Sequence, residues 1–584
     1  MSQIWEVVGG ADKGGILVRE GQALSSAQCQ ERVSTGALIE ELQLVGDRLN
    51  YKLIEGSGPA SGWVSLSLKG KALVEKKDKV ETLSGEAFAS ADVEARCAME
   101  WAKPRIAWTP VGMENLEKHE KKVKGKIYGL EFPWTGDTVK ELGPQWMTKA
   151  FRAAGSIPAA ARVTAITDVK KYVGGGACSK LFIDVEYGST PGKHTQLFAK
   201  IPFPMTPDTR SDRIAQSVMG FQGGELGEIN VSRLLESRLP FRIPKYYFGD
   251  FSNETTNWIL ITERIPFNSF SKEKLEPFDV EPPYEKMMDW NLRGPPQEYY
   301  DLLMLAGGKM AGMYKAGQLG RISAIDKTFG NDSLRPKDQW GMQKGSTGLQ
   351  ASEFQAKIKM GVEFIMAVAK AIFDEDLTTP SIVETYKNIL SIVNSYKLEI
   401  LYYSNMDADY VSCLHGNLNV DNTFWWRDED GKLDVGLLDL NTGVGSLGVK
   451  LWWSLYGCEP EFLVEHCDRL LELFIKAYQE NGGPSLDFKK LKMHFILAAM
   501  DQGVGLLGAV PQIYRMCKKK TFEDIKSRRD PRIAENIDGK NTLRLYCGGF
   551  VMMMTLIKAW KVEEWVEEFV NDFSKLSGQP KKTI

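Results

Sequence analysis

The sequence has few histidines and no cysteine pairs of the kind that bind zinc. Its 584 residues include five histidines and eight cysteines, with neither a C-x-x-C pair nor H-E-x-x-H spacing. We therefore expect no zinc site and no disulfide framework. No apolar run approaches the length of a membrane span, because the run that begins at Phe495 is interrupted by Asp501 and Gln502.

The chain also lacks a strong net charge, since its formal charge is -3. That value argues against nucleic acid or an anionic membrane as the main partner. The basic run from Lys118 to Lys126 is interrupted by Glu120 and is more typical of a solvated linker than of a binding patch. The amino terminus has no basic and apolar signal pattern, so we expect a soluble, cytoplasmic protein.

What the sequence does contain is a change of pattern along its length. Residues 1–80 hold five short runs rich in β-branched and aromatic residues, separated by Gly, Asp, Ser and Pro, which predicts a small all-β barrel. Residues 81–135 are charged and aperiodic, as in a linker with room for one short helix. Residues 136–270 mix strands and helices: we predict a short helix from Leu142, then three strands, the helix that carries Glu228, and a later strand that contains Ile259 to Glu263. Residues 271–584 are mainly helical, and apolar residues at three- and four-residue steps from Leu463 to Tyr478 predict one buried helix face. We predict an α+β fold with a surface insertion at 317–352.

Glycines and a buried-strand lysine form the first candidate site. Gly174, Gly175 and Gly176 lie between two strand-like runs, where backbone N–H groups can approach phosphates closely, although a plain hairpin turn explains them equally well. Lys200 ends the third strand of this region, between apolar neighbours, so its ammonium needs a partner. Glu228 on the next helix is the candidate, and Glu225 is the alternative.

The second candidate site is the stretch from residue 413 to residue 443. It predicts a strand, a polar loop with His415 and Asn417, a short strand, an Asp-Gly turn, and an apolar strand that carries Asp439. Oxygen ligands from Asn422 and Asp439 would suit Mg²⁺, a hard cation usually held by one or two protein groups plus phosphates. The alternative is a polar hairpin whose Asn and Asp residues only make turns.

Taken together, residues 140–584 resemble the choline-kinase-like and ecdysteroid-kinase-like small-molecule kinases, relatives of the aminoglycoside phosphotransferases. The resemblance implies a two-lobed protein-kinase-like fold. It rests on the following residues: Trp146, Gly174 to Gly176, Lys200, Glu228, Ile259 to Glu263, His415-Gly416, Asn422 and Leu438 to Asn441. Residues 15–21 and 62–65 resemble the bacterial-type SH3-like (SH3b) barrel, which implies a small barrel that binds a peptide or braces its neighbour.

The resemblance also implies a nucleotide site. Lys200 would hold the α and β phosphates of ATP, and Glu228 would orient Lys200. The backbone from Ile261 to Glu263 would pair with adenine. For the second candidate site, the resemblance implies that Asn422 and Asp439 bind Mg²⁺ and that His415 braces the loop.

Two positions depart from the family pattern. Asn417 stands where the family has its catalytic aspartate, and Lys450 stands near the position of an acidic residue. General base catalysis typically contributes about 10² to 10⁴ in rate, so Asn417 should weaken transfer to a neutral hydroxyl without preventing nucleotide binding. An anionic acceptor would need no base. Asp421 could act in place of the missing acid, but a role in capping the loop is favoured.

The sequence thus leaves three classes of function open. The preferred one is an ATP- and Mg²⁺-dependent phosphotransferase that acts on a small metabolite. The alternatives are a catalytically inactive pseudokinase that binds a nucleotide or metabolite, with a protein partner on the amino-terminal barrel, and a structural component of an assembly.

Overall fold

The computed structural model describes residues 4–76, 85–103, 117–172, 178–189, 194–218, 222–267, 275–330, 348–535 and 542–584. The side chains of residues 4, 55, 85–92, 215–218, 222–225 and 542 are outside this description. Two units are present: Met1–Arg96 with Ile157–Ala165 and Glu186–Thr195, and Cys97–Ser156 with Ile166–Val185 and Gln196–Ile584. The predicted domain boundaries at residues 80, 135 and 270 stay predictions.

The amino-terminal region is all-β, as predicted, but it has more strands than the five expected. Within residues 4–76 the strands are β1 (Ile4–Val7), β2 (Ile16–Arg19), β3 (Gln28–Val33), β4 (Leu38–Val45), β5 (Arg48–Glu55), β6 (Ser61–Ser65), β7 (Ser67–Leu68), β8 (Lys71–Ala72) and β9 (Val74–Lys76). Seven of them form one antiparallel sheet in the order β3-β2-β6-β5-β4-β1-β9. Strand β3 escaped prediction because it is polar and mostly exposed.

A glycine is required where β6 approaches β2. Gly62 has φ +156°, and a Cβ there would lie 2.4 Å from Cγ1 of Val18, inside the apolar core of this region. This is the Gly of the Gly-Trp-Val motif on which the SH3-like resemblance rests. The resemblance itself stays a prediction.

Helix α1 (Gly85–Ala102) lies in the segment predicted as a linker, and its last turn carries a buried ion pair. The guanidinium of Arg233 donates from Nη1 to Oε2 of Glu100 at 2.7 Å, and both side chains are at least nine-tenths buried. Trp101 donates from its indole N–H to the carbonyl of Leu234 at 3.0 Å. The end of α1 is therefore fixed against the helix that carries Arg233.

Helix α2 (Gly136–Ala153) is longer than the predicted helix from residue 142. Thr135 and Thr138 form a capping box that starts it six residues earlier than expected. Gly143 breaks its regularity with φ +69° directly before Pro144, because proline excludes the helical conformation at the preceding residue.

A five-stranded sheet follows, in the order β10-β11-β12-β14-β13. Its strands are β10 (Val163–Tyr172), β11 (Ser179–Tyr187), β12 (Gln196–Ile201), β13 (Tyr246–Phe251) and β14 (Trp258–Glu263). Helices α3 (Arg210–Val218) and α4 (Gln222–Leu235) lie between β12 and β13 in the chain. The three predicted strands, the helix with Glu228 and the later strand are all confirmed.

The rest of the chain is mainly helical, as predicted. Its helices are α5 (Pro296–Lys315), α6 (Ile322–Phe329), α7 (Ala351–Glu363), α8 (Pro380–Ser395), α9 (Lys397–Asn405), α10 (Leu447–Leu455), α11 (Pro460–Glu480), α12 (Phe488–Leu507), α13 (Val510–Met516), α14 (Pro531–Ala534), α15 (Thr542–Trp560) and α16 (Val562–Ser577). The apolar face predicted for α11 is buried: Leu463, Cys467, Leu470, Leu471, Phe474, Ala477 and Tyr478. Of the predicted insertion at 317–352, residues 331–347 lie outside the described part.

Two small antiparallel ladders interrupt the helices. Strand β15 (Val411–His415) pairs with β18 (Thr442–Ser446), and β16 (Thr423–Arg427) pairs with β17 (Leu433–Leu437). His415 is opposite Thr442 and Thr423 is opposite Leu437, so the loops 416–422 and 438–441 meet between the two ladders. This meeting point places the second candidate site.

The chain therefore has the predicted α+β fold. An antiparallel sheet with the helix that carries Glu228 after its third strand, followed by helices and two small ladders, is the element order of a two-lobed protein-kinase-like fold. Among the described helices, none is by itself long and apolar enough to cross a membrane.

Candidate functional site

One face of the five-stranded sheet carries both cations and aromatic rings. Lys200 on β12 is directly opposite Lys180 on β11, and Phe198 is opposite Phe182. Because alternate residues of a strand share a face, the two lysines and the two phenylalanines lie on the same side of the sheet. The rings of Phe182 and Phe198 are 6.1 Å apart between centroids, and both side chains are half-buried. This face can therefore offer ammonium groups to phosphates and rings to a flat base.

Lys200 lies between two carboxylates. Its Nζ is 2.8 and 2.9 Å from the two oxygens of Glu228, which is the predicted partner. It also contacts Oδ1 of Asp439, which comes from the loop after β17. The side chains of Lys200 and Glu228 are 10% and 15% exposed, whereas that of Asp439 is 53% exposed. The structure thus joins the first and second candidate sites through one ammonium.

The charges at this junction shift one another's pKa. Burial alone would lower the pKa of Lys200, but the carboxylates of Asp439 and Glu228 raise it above its ordinary value. Burial also raises the pKa of Glu228 in spite of Lys200. Burial tends to raise the pKa of Asp439, but the ammonium groups of Lys200 and Lys180 lower it to about 2. Asp439 is therefore a carboxylate throughout the neutral range.

Asp439 lies just beyond the strand predicted to carry it. Strand β17 ends at Leu437, and Asp439 adopts a left-handed backbone with φ +48°. This conformation is uncommon for residues other than glycine and is concentrated at functional sites. The reversal gives the carboxylate its half-exposed position beside Lys200.

Asn422 lies across from Asp439 at the same end of the β16–β17 ladder. Its carbonyl accepts from the Leu438 N–H at 2.8 Å, and its Nδ2 donates to the carbonyl of Asn417 at 2.8 Å. Since the amide nitrogen is engaged, Oδ1 is the atom of Asn422 that remains to bind a ligand. No cluster of three His, Cys, Asp or Glu side chains suited to a metal is found in the described residues. A metal ion here would also need oxygen ligands from a molecule bound in the site.

His415 connects the two loops. Its Nδ1 accepts from the backbone N–H of Asn417 at 3.0 Å, and its Nε2 donates to the carbonyl of Leu438 at 2.9 Å. Burial lowers the pKa of His415 to about 4, so the ring is neutral and this tautomer uses both nitrogens. Gly416 permits the close approach, because a Cβ there would lie 2.9 Å from the carbonyl oxygen of Asn441.

Asn417 is held by a neighbour that the sequence analysis did not single out. Nδ2 of Asn419 donates to Oδ1 of Asn417 at 2.6 Å and to the carbonyl of Trp453 at 3.2 Å. Asn419 is fully buried. With its oxygen engaged, Asn417 retains an NH₂ group, so it offers a ligand a donor where an aspartate would offer an acceptor.

Asp421 does not cap the loop, and this part of the prediction is wrong. The cap of the short turn at residues 420–422 is Asn419, whose Oδ1 accepts from the Asp421 N–H at 3.2 Å. Asp421 instead forms an ion pair with Lys286, whose Nζ lies 3.0 Å from its Oδ2. Sequence gave no sign of this pair, because Lys286 lies far away in the chain.

The backbone groups that were expected to pair with adenine lie in a strand that is hydrogen-bonded within the sheet. Ile261 lies in β14, between Ala199 of β12 and Phe248 of β13, and a strand flanked on both sides spends its N–H and C=O groups on its neighbours. The N–H of Glu263 donates to the carbonyl of Lys245 at 2.8 Å. The carboxylate of Glu263 pairs with Arg242 at 2.8 Å. The assignment of Ile261 and Glu263 to adenine stays a prediction.

Some predicted positions cannot be compared. Gly174, Gly175 and Gly176 lie outside the described residues, as does the side chain of Glu225.

Comparisons with known proteins find similarity only among solved structures. No protein-family model and no curated protein matches the sequence. A choline kinase from Cryptosporidium parvum Iowa II is 12% identical, with 74% of this chain and 97% of that chain covered and a TM-score of 0.30. A microcompartment-associated aminopropanol kinase is 8% identical, with coverages of 67% and 93% and a TM-score of 0.30. A spectinomycin phosphotransferase solved with ADP and spectinomycin is 11% identical, with coverages of 65% and 93% and a TM-score of 0.27. No residue role is transferred from them.

Proposed function

We propose that this chain binds Mg·ATP and transfers its γ-phosphoryl group to a small molecule. The observation that carries the proposal is the contact of one buried ammonium, that of Lys200, with carboxylates from two distant parts of the chain, Glu228 and Asp439. Buried charges are expensive to desolvate, and binding of a charged ligand is a function that would account for keeping them here.

The residues fit a magnesium nucleotide. Lys200 and Lys180 would bind phosphate oxygens, and Glu228 would keep Lys200 in place when Asp439 turns from the ammonium to the metal. Asp439 and Oδ1 of Asn422 are hard oxygen ligands, and Mg²⁺ typically takes one or two such groups plus phosphates. The metal would supply charge neutralisation at the phosphates.

The acceptor end of the site is defined by Asn417. Phosphoryl transfer depends mainly on positioning and charge stabilisation, which the lysines and the metal ligands supply. Asn417 cannot remove a proton, because an amide is not a base at neutral pH. It can hold the acceptor through its NH₂ group.

Nucleotide binding is tested by replacing Lys200. Lys200→Ala should weaken Mg·ADP binding by about 10- to 100-fold, as for the loss of a hydrogen bond to a charged group. Isothermal titration calorimetry on the full chain provides the measurement. Lys476→Ala is the matched control, since Lys476 is 70% exposed on α11 and should leave the affinity unchanged. Equal affinity in wild type and Lys200→Ala would refute the proposed site.

The second candidate is a pseudokinase that binds Mg·ATP without turnover and a protein partner on the amino-terminal all-β region, and Asn417 is the observation that favours it. Asn417→Asp tests whether this pseudokinase is a disabled kinase, with hydrolysis of ATP as the readout, because water is a neutral acceptor that needs a base. A disabled kinase should gain about 10² to 10⁴ in hydrolysis rate. Asn417→Ser, which changes the side chain without adding an acid, should gain nothing. No gain in either variant would show that restoring the acid is insufficient for turnover.

A further inference from the structure

The ammonium of Lys450 has few hydrogen-bond partners in the described part of the protein. Its Nζ donates to the carbonyl of Leu414 at 2.9 Å, and this is its one polar partner among the described residues. No carboxylate of those residues pairs with it, and burial lowers its pKa to about 8. An ammonium has three N–H donors, so two are left for a ligand. Buried charges normally have a partner of opposite sign.

The position of Lys450 relates it to the acceptor end of the site. Leu414, which receives its hydrogen bond, is three residues before Asn417. One turn further along α10, the carbonyl of Trp453 accepts from Asn419, which in turn holds Asn417. Trp453 is 37% exposed, and Lys450 keeps part of its surface accessible. Residues three apart share a helix face, so Lys450 and Trp453 present one face of α10 to the loop.

The hydroxyl of Ser446 adds a second group without a partner. Ser446 precedes α10 by one residue and is four residues before Lys450, which places the two a single turn apart. It is buried, and its Oγ has no hydrogen-bond partner among the described residues. A hydroxyl and an ammonium with spare donors therefore lie at one end of α10, where backbone N–H groups also favour negative charge.

The acids near this end of the site are already neutralised or directed elsewhere. Asp421 pairs with Lys286, and Asp439 contacts Lys200. Asn417 has an amide in place of a carboxylate. Oδ1 of Asp421 is buried and has no hydrogen-bond partner among the described residues, but the charge of Asp421 is balanced by Lys286. The groups at this end whose charge or hydrogen bonds are not balanced in this way are donors: the NH₂ of Asn417 and the ammonium of Lys450.

We propose that the acceptor is an anion, a carboxylate or a phosphate, whose charge is bound by Lys450 and whose reacting oxygen is positioned by Asn417. This inference rests on the proposed function for the reaction itself. An oxygen of the acceptor anion forms a bond to the γ-phosphorus of ATP. The bond from that phosphorus to the β–γ bridging oxygen breaks, and ADP leaves with the electron pair. No proton is removed, so the loop needs no base.

The test is anion binding in the absence of nucleotide. Inorganic phosphate and, in a separate arm, acetate are titrated calorimetrically into the full chain carrying Lys200→Ala, so that binding at the nucleotide end does not contribute. Adding Lys450→Gln should lower the affinity for the bound anion at least about tenfold, as expected for loss of a charge-assisted hydrogen bond. Lys450→Arg, which keeps the charge, should remain within a few-fold of Lys450. The arm that binds more tightly distinguishes a phosphate from a carboxylate.

Each outcome decides between supporting and overturning the inference. Absence of binding by both anions, or the same affinity with Lys450→Gln, would overturn it. Mg·ADP binding is measured in parallel on the protein with Lys200 intact. If the anion binds through Lys450 but Mg·ADP does not bind, the proposed function fails while the anion site stands. If Mg·ADP binds and the anions do not, the anion site fails alone.

Discussion

The ammonium of Lys450 should be costly to the folded protein, and Lys450→Met tests this directly. Methionine keeps an unbranched side chain of similar length and removes the charge. Burial lowers the pKa of Lys450 from its ordinary 10.5 to about 8. A shift of this size corresponds to at most about 3 kcal/mol of destabilisation at neutral pH. The hydrogen bond to the Leu414 carbonyl offsets about 1 kcal/mol of this destabilisation, or a little more. We expect Lys450→Met to raise the free energy of unfolding by about 1 to 2 kcal/mol at pH 7.

The effect should depend on pH in a defined window. The folded-state pKa lies below the unfolded-state value, so between pH 8 and pH 10.5 the folded protein binds fewer protons than the unfolded chain. The stability of the wild type therefore rises across that window, whereas the variant lacks this gain, and their difference should shrink. Urea unfolding followed by tryptophan fluorescence at pH 7, 8, 9 and 10 measures it. Lys476→Met, at a 70% exposed position, should show no such trend. A variant less stable than the wild type at pH 7, or a difference that is constant with pH, would refute the reasoning.

Two further predictions concern buried charge elsewhere. Glu100→Ala should cost about 3 to 5 kcal/mol, because it removes the carboxylate that is paired with the buried guanidinium of Arg233, and adding Arg233→Met should recover most of the loss. Thermal unfolding measures the stability of both variants. Glu141→Ala, at an exposed ion pair, is the control and should change the stability little. A double variant that is no more stable than Glu100→Ala would contradict this explanation. Burial lowers the pKa of His415 and of His494 to about 4, so the stability that each contributes is present above pH 6.5 and is lost as pH falls towards 4. His494→Phe should therefore lose less stability than the wild type between pH 6.5 and 4.5 in urea unfolding, and equal losses would show that His494 is not held neutral.

The sequence predicted the site where local pattern and burial determine structure. Lys200 lies near the end of an apolar strand, so its burial and its need for a partner could be predicted, and helix spacing indicated Glu228 as that partner. Both are in contact. The order of strands around Asn422 was readable for the same reason, since an Asp-Gly turn between two apolar runs specifies a hairpin. These features depend on residues close together in the chain.

The features that escaped prediction depend on pairing between distant segments. Lys180 lies on the same face of the sheet as Lys200 only because its strand register places it opposite Lys200, and register cannot be read from one strand alone. Lys286 reaches Asp421 from a segment more than a hundred residues away. For Lys180, the one local signal in the sequence was its position in a strand of alternating pattern, two residues after Cys178.

The two ends of the site differ in how their charges are balanced, and that difference bears on the kind of acceptor. At the nucleotide end, the ammonium of Lys200 contacts the carboxylates of Glu228 and Asp439, so a metal can take over Asp439 while Lys200 keeps one anion. At the acceptor end, Lys450 has a neutral carbonyl and Asn417 has a neutral amide as partner. A cationic acceptor would place like charges together in a partly buried site, which is unfavourable, and a neutral alcohol would leave its proton without a base. An anion avoids both problems, because it neutralises Lys450 and attacks without deprotonation. With an amide at residue 417, such an acceptor also avoids the repulsion that a carboxylate there would cause.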